Sequence, residues 1–74
     1  MKKLGVAIIG CGNIHKVHAD AVSESELGYL VCMADINKER VQASAQNYGC
    51  QWYLDYRQVL ENDLVDVVHI CTPH

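Results

Sequence analysis

A short apolar run, Leu4-Gly5-Val6-Ala7-Ile8-Ile9, breaks at Gly10-Cys11-Gly12 and passes at once into a helical pattern. This succession constrains the fold more than any other feature of the chain. The run is rich in β-branched residues and apolar on both faces, as a strand covered on both sides of a parallel sheet is. Beyond the glycines, Ile14, Val17, His18, Ala21 and Val22 recur at the spacing of one helix face. Asn13 is placed to cap that helix, and Gly28 stands just past its end.

The alternation then continues. Tyr29 to Ala34 reads as a second strand ending at Asp35. Asn37 can cap a second helix with Val41, Ala45 and Tyr48 on its apolar face and Gly49 at its stop. A short strand is expected from Gln51 to Tyr53, a brief helix capped by Asp55 and running through Leu60, and a last strand from Asp66 to Cys71 before Thr72-Pro73-His74. Strands alternating with helices predict an α/β fold, a parallel sheet with right-handed crossovers. The expected strand order is 3-2-1-4, as in the first half of a dinucleotide-binding fold.

In that setting the glycine loop has a chemical meaning. Gly10 permits the tight turn out of the strand, and Gly12 lets the backbone approach a pyrophosphate with no Cβ in the way. The helix that follows offers free N–H groups and the positive end of its dipole to the phosphates. A G-x-G alone is a weak signal. Here an acid, Asp35, closes the next strand, near the expected separation of about 20 residues. Its carboxylate would accept hydrogen bonds from the adenosine ribose and repel a 2′-phosphate, which favours NAD over NADP. The competing reading is that the glycines form only a strand-to-helix turn and that Asp35 caps the next element.

The chain has 74 residues, which sets one domain, residues 1–74, with no second domain. A domain of this size buries only roughly 60% of its unfolded surface. Half the residues are hydrophobic and the formal charge is -3, a balance that fits a packed unit and suggests neither a nucleic-acid surface nor a membrane-binding face. Cys11, Cys32, Cys50 and Cys71 form no C-x-x-C pair, which fits reduced, buried thiols in a cytoplasmic protein.

Three segments carry a family resemblance. Val6 to Ile14 with Lys16-Val17-His18, then Ala34-Asp35-Ile36-Asn37-Lys38-Glu39-Arg40, then Asp66 to His74 together resemble the glucose–fructose oxidoreductase/inositol dehydrogenase (Gfo/Idh/MocA) family. The resemblance covers essentially the whole chain. It implies a Rossmann-type sheet and NAD(P)-dependent oxidation of sugars, inositols or related polyols. It also implies cofactor roles for Gly10, Gly12, Asn13, Ile14, Asp35, Cys71, Thr72 and Pro73, with His74 opening the segment that leads toward the nicotinamide. The family usually has Gly or Ala where this chain has His15, a position kept small so that helix and strand pack closely. A histidine there must swing outward or push the helix away. The family's catalytic Glu-Lys-Pro motif and its substrate domain come later than residue 74. The expectation is a partial nucleotide-binding domain with no catalytic residue of its own, inactive alone.

Other classes remain open at this stage. The chain could be a non-catalytic nucleotide-binding or self-associating module. Cys11, His15 and His18, with Cys71 and His74 as further donors, could seed a zinc site, although His18 packed on an apolar face and Cys11 filling the loop explain the same residues, and no metal ligand is assigned. His69 reads as a satisfied histidine in the sheet. Trp52, Tyr53 and Tyr56 read as core and edge aromatics, and Lys38, Glu39 and Arg40 as a solvated helix face. With order 3-2-1-4 the fourth strand is an apolar sheet edge, and such edges recruit another chain, so a homo-oligomer through that edge is expected.

Overall fold

The structure, a computed structural model, describes residues 3–12 and 15–71. Its elements in chain order are β1 (Leu4–Ile9), α1 (His15–Glu24), β2 (Gly28–Ala34), α2 (Lys38–Tyr48), β3 (Gln51–Tyr53), α3 (Tyr56–Leu60) and β4 (Val67–Ile70). All three strand pairings are parallel, and the order is β3-β2-β1-β4, as the alternation of strands and helices predicts. β1 is therefore central, which is why Val6, Ala7 and Ile8 are buried although they point to alternate faces.

Each face of the sheet has its own core. Ile8, Met33, Cys11 and Cys71 pack with Ala19 of α1 and Val41 of α2. On the other side Ala7, Val31, Cys32 and Ala34 pack with Val59 of α3. All four cysteines are free thiols. Among the described residues no helix is long and apolar enough to cross a membrane.

The helix stops follow local chemistry. The Asn37 side chain accepts from the Arg40 N–H at 3.0 Å and caps α2. Gly49 ends that helix in the left-handed region, φ 69°, with its N–H directed to carbonyls of the last turn. Asp55 caps α3 by accepting from the Arg57 N–H at 2.9 Å.

α1 departs from the expected apolar stripe. Val17 is 68% exposed and Ala21 is exposed, whereas Ala19 and Val22 are buried and His15 and His18 are half-buried. The inward stripe is thus 15, 18, 19 and 22, turned by one residue from the expected one. Ala19, with no side chain beyond Cβ, lets the helix close on the sheet where a valine would hold it off. Gly28 is not a helix stop; it opens β2. The last strand is Val67–Ile70, one residue shorter at each end than Asp66 to Cys71.

A cleft at the ends of β1 and β2

The carboxyl ends of β1 and β2, the turn after β1 and the start of α3 enclose a cleft of about 860 Å³. Gly10, Gly12 and Asp35 all line it, so the residues singled out by spacing meet in one place. Such a crevice beyond the strand ends is where open parallel sheets hold ligands. Gly10 has φ 94°, a conformation glycine supplies without strain. A Cβ placed on Gly12 would meet nothing within 4 Å, so the backbone there faces open space rather than protein. The cleft side of Gly12 can accept a bulky anionic group at close range.

Asp35 anchors the turn. Its Oδ2 accepts from the Cys11 N–H at 2.7 Å and its Oδ1 from the Asn37 N–H at 2.9 Å. Arg40 stands 4.0 Å from Oδ2, and the Asp35 side chain is only 10% exposed. A carboxylate offers about four lone-pair sites. The two backbone donors leave two, one on each oxygen.

The opposite wall comes from Leu54, Tyr56 and Arg57, while Arg40 lines the cleft beside Asp35; periodicity marks none of these. Sequence reading treats Tyr56 as an edge aromatic and Arg40 as solvated; both are exposed, yet both face the cleft. The signal that finds Tyr56 is topological, since the turn after β3 must lie beside the end of β2; Arg40 follows from its place in the first turn of α2, just past Asp35. Arg57 is held to Asp55 at 2.7 Å, so this wall carries little free charge.

Cys71 is buried in the core beside Cys11, and its N–H donates to the Ile9 carbonyl at 2.7 Å; it does not line the cleft. Asn13, Ile14, Thr72, Pro73 and His74 lie outside the described residues. Burial, then the Asp35 charge, push the Cys11 thiol up to about 11, and burial alone does the same for Cys32. Both are neutral at physiological pH.

The histidines of the zinc reading part company. His15 bonds Gly12 and Ser44, while His18 turns to His69, with rings edge-on at 5.3 Å and Nδ1 atoms 3.4 Å apart. Among the described residues no three His, Cys, Asp or Glu gather as a metal site. His69 is half-buried in β4 with His18 as its partner, a satisfied sheet histidine.

The comparisons with known proteins agree with this geometry. Inositol 2-dehydrogenase of Rhizobium meliloti is 39% identical over 67 residues, 89% of this chain and 20% of that protein. Two solved structures superimpose closely. A Desulfitobacterium hafniense protein, whose name provisionally calls it an NADPH-dependent oxidoreductase, matches 99% of this chain and 21% of its own, at TM-score 0.93 and 29% identity. The WlbA dehydrogenase of Bordetella pertussis, in complex with NADH and UDP-GlcNAcA, matches 99% of this chain and 22% of its own, at TM-score 0.90 and 27% identity. The chain spans about a fifth of the length of the relatives it matches. Residues 4–74 match the profile of the oxidoreductase family with an NAD-binding Rossmann fold, and the chain belongs to that Gfo/Idh/MocA family.

Proposed function

We propose that the cleft seats the adenosine and pyrophosphate of NAD, as the nucleotide-binding part of an oxidoreductase acting on a sugar, inositol or related polyol. Gly10, Gly12, Asn13 and Ile14 receive the pyrophosphate and Asp35 the ribose; Thr72, Pro73 and His74 flank the cofactor on the β4 side, and Cys71 backs them from the core. The observation that carries this reading is the Asp35 carboxylate, held by two backbone N–H groups at the mouth of the glycine turn with two acceptor sites left over. The bound cofactor supplies the hydride chemistry; the residues of this chain bind and orient it. The polyol assignment rests on the names of relatives such as the inositol dehydrogenase. Free, protonated thiols suit a reducing compartment, which supports a cytoplasmic location.

NAD is preferred to NADP in this reading. Asp35 would lie against a 2′-phosphate, and the cleft arginines are each near an acid of their own. Calorimetric titration of the chain is expected to show NAD binding at least about tenfold tighter than NADP, the penalty of one close like-charge contact. Tighter NADP binding would reverse the preference. No heat at millimolar NAD would sink the assignment of the cleft.

Self-association has its own support. Among the described residues β4 pairs only with β1, and Ile70 on it is 72% exposed. A second copy pairing along that edge would satisfy its open backbone groups. Light scattering behind size-exclusion chromatography is expected to give a dimer or larger at high concentration; a monomer throughout counts against it.

A further inference from the structure

The one residue that breaks the family's small-residue rule is tied in at both ends. The Gly12 carbonyl, which can only accept, takes two bonds from His15: one from its backbone N–H at 3.1 Å and one from its ring Nδ1–H. That makes Nδ1 a donor. With Nδ1 turned to that carbonyl, Nε2 reaches the Ser44 hydroxyl on α2 in a hydrogen bond of 3.0 Å. On the other flank of the same turn the Cys11 N–H is pinned to Asp35. The glycine turn is thus gripped from both sides, by Asp35 at the Cys11 N–H and by His15 at the Gly12 carbonyl.

The second grip has a chemical purpose. A Gly12 carbonyl swung toward the cleft would present its partial negative charge to a pyrophosphate. Two donors from His15 hold it toward α1 instead. The helix–turn spacing that a small residue sets by close packing is here set by a hydrogen-bonded strut from the turn across to α2. Asp20, on the same helix, gives the strut a parallel tie, accepting from the Tyr48 hydroxyl of α2 at 2.6 Å.

We infer that His15 is a positioning residue for dinucleotide binding, keeping the Gly12 carbonyl turned away from the pyrophosphate through its link to Ser44. This rests on the reading of the cleft as an NAD site. Its test is NAD titration of the 74-residue chain and its variants, with thermal melts alongside. His15→Ala is expected to weaken NAD binding about tenfold and Ser44→Ala about threefold, the size of one or two net hydrogen bonds. His15→Asn, which restores a donor near the Gly12 carbonyl without reaching Ser44, is expected to recover part of the loss. The double variant His15→Ala/Ser44→Ala should bind no more weakly than His15→Ala, because the two residues act as one strut. Wild-type affinity in both single variants, additive losses in the double variant, or no recovery in His15→Asn overturns the inference while wild-type binding leaves the cleft assignment standing. Absence of NAD binding by the wild-type chain removes both.

Discussion

Replacing Gly5 by alanine is expected to unfold the chain or bring it close to unfolding. A Cβ at this position would lie 1.8 Å from the Leu64 carbonyl oxygen and 2.8 Å from a Val31 methyl. The first of these is backbone, and it cannot rotate away. The turn that carries it is clamped to the same residue, since the Gly5 N–H donates to Asp66 Oδ2 at 2.8 Å and the Gly5 carbonyl accepts from the Asp66 N–H at 2.7 Å. Room for one methyl group requires β1 and the 62–66 turn to separate, which breaks both bonds. The expected cost is at least about 3 kcal/mol, the upper end for overpacking. In a domain of this size that lowers the thermal midpoint by at least about 12 °C. Circular dichroism melts check it; a midpoint within a few degrees of wild type would show that the turn moves freely.

Asp35→Ala is expected to abolish most NAD binding, and Asp35→Asn to change which cofactor is held. Alanine removes the acceptor for the Cys11 and Asn37 N–H groups along with both ribose sites. Loss of two hydrogen bonds to a charged acceptor corresponds to about a hundredfold in affinity. Asparagine keeps the shape but only one acceptor oxygen, and it carries no charge to oppose a 2′-phosphate. With the repulsion gone and Arg40 close by, the ratio of NAD to NADP affinity should fall by about tenfold or more. Titrating each variant with both cofactors separates the effects. An unchanged ratio in Asp35→Asn would mean that the carboxylate does not set the preference.

Much of the frame is legible along the chain because its causes are local. The caps Asn37, Asp55 and Gly49 act within four residues of themselves and sit where the sequence places them. The strand order follows from alternation and the handedness of crossovers. Asp35 is legible because the glycine turn and the next strand end stand at a known separation. The orientation of α1 is not, since Val17 and Ala19 differ by less than a turn of helix and only the closeness of the sheet selects the smaller one. Nor is the partner of His15, because Ser44 lies 29 positions away and a hydroxyl leaves no periodic trace. Gly5 reads as an ordinary strand glycine until the Leu64 carbonyl is seen where its side chain would be.

The placement of β1 between β2 and β4 bears on the order in which the fold can be completed. β1 precedes both of its neighbours in the chain, and the second of them, β4, follows only at Val67–Ile70. Closing the contact between Gly5 and Asp66 spans 61 positions. Until that loop closes, β1 has one open side and the backbone polar groups of Gly5 lack their Asp66 partners. A chain growing from β1 must therefore carry that strand half-covered until Val67–Ile70 has been made. Covering β1 is then a slow, long-range step rather than a local one.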